Sequence, residues 1–150
     1  MKTRVLRTVL GLAAVLGSLS VASPAQADDG PVSVRVYTQG SSGSGGIAKT
    51  SVNFLSQTDI HYSNLTVRDV CPGDNLPVRV YVKVVFRDGT SENDLAGSDT
   101  NGCGSDGTNL GDFRTDSPFA QVAKAGLRVC VYNSAGNQRC AESLRSNPYL

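Results

Sequence analysis

The sequence predicts an all-β protein: a small antiparallel β-sandwich, immunoglobulin-like or related, of about seven strands and closed by two disulfides. Three observations carry that expectation. Residues 78–87, VRVYVKVVFR, alternate apolar and polar side chains almost without a break, the signature of a half-buried antiparallel strand. No segment after the N-terminal region keeps an i, i+3, i+4 apolar stripe free of glycine and β-branched runs. The cysteines number four, an even count that reads as two bridges in an oxidising compartment. A small β-barrel shares these features and is the alternative architecture.

The first 27 residues stand apart from this pattern. Lys2, Arg4 and Arg7 precede an apolar run over 9–21, and Ala25-Gln26-Ala27 supplies a small-x-small cleavage site. That is the grammar of a secretory signal, with an apolar core too short for a spanning helix. The expectation is a signal over 1–27 and one secreted domain over 28–150. Removing 1–27 takes three of the 14 basic residues and none of the 13 acids, leaving eleven against thirteen and a net charge of −2. A slightly acidic domain lacks the overall basic charge of a nucleic-acid or anionic-lipid binder, so neither partner is expected, and no membrane for the mature form.

Residues 32–37, VSVRVY, open the domain as a strand. Residues 40–46, GSSGSGG, form a flexible linker. Their position ahead of Lys49-Thr50 invites comparison with a phosphate-binding loop, but Ala48 replaces the required glycine and no helix is signalled afterwards. Weaker strands are expected over 51–56, 60–67 and 119–123. The turn residues of 71–77, CPGDNLP, deliver the chain into the strand at 78–87. Asp88-Gly89 suits a two-residue hairpin, after which 90–94 return as a polar edge strand and 98–111 remain as loop. Residues 127–132, LRVCVY, alternate again, and 147–150 read as a surface tail.

Disulfide pairing follows from local geometry. Between Cys130 and Cys140 the sequence is VYNSAGNQR, where Gly136 fits the left-handed position of a three-residue loop. If Val131 faces Arg139, Cys130 lies opposite Cys140, within bridging range. Cys71 is then left for Cys103. Zinc is disfavoured because no C-x-x-C pair is present.

Few residues invite chemistry. His61 is the single histidine, so a Ser-His-Asp or Cys-His mechanism would have to run through it, and no G-x-S-x-G elbow accompanies it. Alternation with Ile60 and Tyr62 makes it a surface strand residue. Paired acids suit sugar cleavage, with Asp88, Glu92, Asp94, Asp99, Asp106, Asp112 and Asp116 available, but no tryptophan offers a sugar platform. No catalytic residue is therefore assigned. No cofactor is expected; with zinc disfavoured, calcium is the one metal kept as a candidate. A helix-loop-helix calcium template starting at Asp99 fails at Cys103 and Leu110, leaving an irregular site from Asp94, Asp99, Asp106 and Asp112 as the candidate. Tyr37, Tyr81 and Tyr132 fall on outward phases. They either form an aromatic face or cover the stems of Arg35, Arg79 and Arg128, and covering is the favoured reading.

The stretches RDVCPGDN, SDTNGC, CVYNSAGNQRC and the terminal SNPYL together resemble small secreted, disulfide-bonded, β-rich proteins of actinobacteria. That resemblance implies export and two bridges, and carries over no functional residue. The functional expectation is a non-catalytic extracellular domain that binds a protein, peptide or cell-wall component through loops or a sheet face. The alternatives are an extracellular protease inhibitor, or a small hydrolase using His61 or paired acids.

Overall fold

Eight strands fill the computed structural model, which describes residues 29–71, 76–133 and 135–150. They are β1 (Gly30–Tyr37), β2 (Gly45–Phe54), β3 (Asp59–Val70), β4 (Val78–Phe86), β5 (Ser91–Asp99), β6 (Thr108–Asp116), β7 (Val122–Tyr132) and β8 (Gln138–Ser146). The expected signal segment and residues 72–75 of the expected turn lie outside the described residues.

The strands form two antiparallel sheets, ordered β1-β2-β3-β6 and β5-β4-β7-β8. The chain lays down β1 to β3 as a meander, crosses to make β4 and β5, and returns to set β6 beside β3. It crosses again to place β7 between β4 and β8. The sheets pack as a sandwich and do not close into a barrel. Along one side, side chains bridge the gap between them: Arg145 Nη2 donates to Pro31 O at 2.8 Å and Arg139 Nη1 to Thr38 O at 3.3 Å.

Alternation places the core. Val78, Val80, Val82, Val84 and Phe86 of β4 all point inward and are buried in one core with Val32, Val34 and Val36 of β1 and Ile60, Tyr62, Leu65 and Val67 of β3; across the sandwich β4 meets β2 and β3, and β1 meets β7 and β8. Each buried valine or leucine contributes about 1.5–3 kcal/mol by area, so the alternation in β4 is a large part of what defines the interior. Burial pushes the Tyr62 hydroxyl well above its usual range, and this hydroxyl donates to Lys83 O across the sheets at 3.3 Å. Gly46 marks the closest approach, since a Cβ there would lie 2.3 Å from Val78 Cγ1.

The disulfides join Cys71 to Cys103 and Cys130 to Cys140. Cys130 faces Cys140 and Val131 faces Arg139 in the β7–β8 register, and Gly136 has φ 78°. Two covalent bridges suit an oxidising environment.

Several expectations are corrected. The strand count is eight because β6 occupies part of the expected 98–111 loop and continues to Asp116; the loop shrinks to 100–107. The turn after β4 is a three-residue loop: Phe86 N–H donates to Thr90 O, and Gly89, at φ 88°, takes the left-handed place. A separate strand over 119–123 does not form. Phe119 is 98% exposed in the turn before β7. The 147–150 tail is anchored, because Asn147 is buried and its Nδ2 donates to Ser56 O and Val122 O. Strand β2 begins at Gly45, inside the expected linker.

Candidate functional site

The outward phases of β1, β2, β3 and β6 meet on one broad face. Two cross-strand rows organise it. Arg35 pairs with Ile47, and Ile47 with Arg68; next to them, Ser33, Lys49, Thr66 and Asn109 stand in successive register. Lys49 and Arg68 are diagonal neighbours across β2 and β3, within reach of long side chains, and Arg35 stands on the far side of Ile47 from Arg68. Arg35 lies over the Tyr37 ring at 4.8 Å. Neither Lys49 nor Arg68 forms an ion pair among the described residues.

The 100–107 loop turns this face into a groove. It is held at one end by the Cys71–Cys103 bridge and at the other by Asp99, which is 1% exposed. The Asp99 carboxylate accepts from Asp69 N–H at 2.8 Å, Thr108 Oγ1 at 3.0 Å and Asn101 N–H at 3.3 Å. Gly107 lets the loop press on β3, since a Cβ there would meet Val67 O at 2.8 Å. The result is a cavity of about 260 Å³ lined by Ile47, Lys49, Thr66, Arg68, Ser105 and Asn109. A shallower depression of about 470 Å³ adjoins it, sharing Lys49 and Thr66 and extending over Ser33, Ser51 and Ser63.

Charges at the other end of the face are paired. The His61 Nε2 to Asp112 Oδ2 distance is 3.6 Å, and Asp112 Oδ1 accepts Asn64 N–H at 2.9 Å at a bulge where Asn64 has φ 54°. Arg114 Nε donates to Asp59 Oδ1 at 2.9 Å, and Arg114 Nη2 also contacts Asp59 Oδ2. That hydrogen bond holds the Asp59 carboxyl below its ordinary range, with the Arg114 and His61 charges adding to it and partial burial opposing it. The cavities just described do not include His61, whose cross-strand neighbours are Asn53 and Arg114.

The four calcium candidates are not brought together. Asp94 lies on exposed β5, Asp99 is the buried anchor of the loop, Asp106 accepts from Ser105 Oγ at 3.0 Å, and Asp112 is engaged with Asn64 and His61. Among the described residues no group of three or more His, Cys, Asp or Glu side chains is placed to hold a metal ion. The other acids are equally dispersed; Asp88, for example, caps its turn by accepting from Thr90 N–H and Oγ1, which lowers its pKa.

The tyrosines form no common face, because Tyr37 belongs to one sheet and Tyr81 and Tyr132 to the other. Arg79 lies over Tyr132 at 5.7 Å and Tyr81 stands opposite Arg128, so the rings cover arginine stems. Lys49 and Arg68, which the groove brings together, carry no sequence motif. Outward alternation alone could have pointed to them, had the β2–β3 register been readable. Compared with known protein families, curated proteins and solved structures, the chain has no significant match.

Proposed function

We propose that the protein is a secreted, non-catalytic binding domain that engages an extracellular ligand through the outer face of the β1-β2-β3-β6 sheet. The observation that carries this reading is the groove in which Lys49 and Arg68 stand side by side with no acidic partner among the described residues. The two cations are diagonal neighbours in the β2–β3 register, close enough for one anionic ligand to engage both. The N-terminal grammar and the two bridges support export. The non-catalytic part is supported by His61, whose acidic neighbour Asp112 already serves the β3 bulge.

The test is capture from culture supernatant and cell-wall fractions by the purified domain, run beside a Lys49→Ala/Arg68→Ala variant. A component retained by the parent and lost by the variant supports the reading. No specific capture, or capture indifferent to the substitutions, refutes it.

Phe119 favours a second reading. It projects from a turn fixed by Ser117 N–H to Thr58 O and Val122 N–H to Gln57 O, a rigid convex presentation of the kind a protease inhibitor uses. A panel of secreted serine and metalloproteases checks it, and an absence of inhibition across both classes removes it.

A further inference from the structure

We infer that the ligand of this groove is a linear anionic polyol or glycan, a chain in which phosphate or carboxylate groups alternate with hydroxyl-bearing units. The inference rests on the sheet-face reading above and adds the ligand's chemistry.

The spacing of the cations is the first argument. Arg35 and Arg68 stand two strands apart, about 10 Å, and Lys49 lies two residues along β2 from the row they share, about 7 Å. At separations near the Debye length of about 8 Å at physiological salt their mutual repulsion is partly screened, but no acid among the described residues pairs with Lys49 or Arg68 to offset it. A single small anion reaches at most two of them. A chain with repeated anionic groups neutralises all three.

The second argument is what lies between the charges. Ser33, Ser51, Ser63, Thr66, Ser105 and Asn109 line the two connected depressions with hydroxyls and one amide. Hydroxyl and amide groups donate and accept alike, which matches polyol units flanking each anionic group. Lys and Arg at the ends supply the charge-assisted bonds.

The third argument excludes other polyanions. Single-stranded nucleic acid binds on aromatic platforms where bases stack, and Tyr37 at the sheet edge is already covered by Arg35. An anionic membrane surface needs apolar side chains that enter the interface beside the basic ones. Of the exposed large apolar residues Leu55, Leu76, Leu95, Phe119, Tyr149 and Leu150, none lines the groove or the depression beside it.

The experiment measures binding of the mature domain to poly(glycerol phosphate) and to polygalacturonate, which separate the phosphate from the carboxylate source. Dextran, a single-stranded DNA oligonucleotide of equal charge and phosphatidylglycerol vesicles serve as comparators. The expected result is binding to at least one of the two anionic polyols, about tenfold or more tighter than to the oligonucleotide or the vesicles, and none to dextran. Lys49→Gln/Arg68→Gln should weaken it about tenfold or more, while the charge-matched Arg87→Gln/Lys124→Gln, outside the groove, should change it less than about twofold. Failure to bind either polyol, equal binding to the oligonucleotide or vesicles, or an equal loss in the charge-matched control overturns the inference. If the polyols fail but capture from culture fractions still depends on Lys49 and Arg68, the ligand class falls and the binding face stands. If both fail, both fall.

Discussion

The two outer faces of the sandwich each carry a central group of cations and treat these groups differently. On the β5-β4-β7-β8 sheet, Lys83 and Arg128 share Glu142, with the Lys83 Nζ to Glu142 Oε2 distance at 2.9 Å and Arg128 Nη1 to Oε1 at 3.4 Å, while Arg79 packs on Tyr132. The Cys130–Cys140 bridge fastens the same face. On the β1-β2-β3-β6 sheet, Lys49 and Arg68 form no ion pair among the described residues, and the nearby bridge fastens a loop that walls them in. The difference teaches where to look: the central cations that share Glu142 are neutralised within the protein, whereas Lys49 and Arg68 are the pair on which the proposed ligand would act.

Removing each bridge separates these roles with the largest effect. In the chain-entropy view, Cys71→Ser/Cys103→Ser, which opens a span of 32 residues, should cost about 3–4 kcal/mol, and Cys130→Ser/Cys140→Ser, spanning 10, about 3 kcal/mol. Urea denaturation measures both. The first variant should also lose groove binding at a temperature where it is still folded, whereas the second should keep it. Equal binding by both would break the comparison.

A smaller change reaches the same wall without touching a bridge. Gly107→Val pushes a side chain against Val67 O, and about 1–3 kcal/mol of stability should be lost to overpacking. Binding should weaken as the loop lifts from β3, a displacement that accelerated hydrogen exchange at 100–107 would report. Unchanged exchange would detach the loop from the site.

Glu142→Gln turns the satisfied face into an unsatisfied one. Because these pairs are partly exposed, stability should fall by no more than about 1 kcal/mol. Lys83 and Arg128 would then be free, and weak, salt-sensitive affinity for poly(glycerol phosphate) should appear on a face without a groove. Affinity equal to that of the native groove would show that charge alone, and not shape, selects the ligand.

The smallest effect concerns the paired end of the first sheet. The folded Asp59 carboxyl titrates below its ordinary value, so its contribution is complete above the ordinary carboxylate range and is lost as pH falls through the lowered value, below about pH 4. Arg114→Gln removes the cause. The variant should melt slightly lower at neutral pH and converge with the parent at strongly acidic pH. A constant difference throughout would place the Arg114 effect outside this ion pair.

Legibility followed local regularity. Strand β4 was readable because nothing interrupts its alternation, and the β7–β8 register was readable because Gly136 fixes the loop length. Strand β6 was hidden by a bulge: Gly111 at φ 80°, its N–H held by Asn109 Oδ1 at 2.8 Å, breaks the period between Leu110 and Phe113. Strand β2 was read short because its first inward positions are Gly46, Ala48 and Thr50, too small to signal burial.

By itself, then, the sequence determined the β class, the alternating core and the bridge between Cys130 and Cys140, because each depends on neighbours within one strand or one hairpin. Only the tertiary structure decided that Asp99 anchors a loop, that the tyrosines divide between sheets, and that Arg35, Lys49 and Arg68 converge. Those outcomes depend on register across a glycine-rich connection and a bulge, and register is set by how the two sheets pack. The stretch that holds the calcium candidates Asp94, Asp99, Asp106 and Asp112 becomes an edge strand, a stapled wall and the start of β6, placed beside a cationic groove that no motif announces.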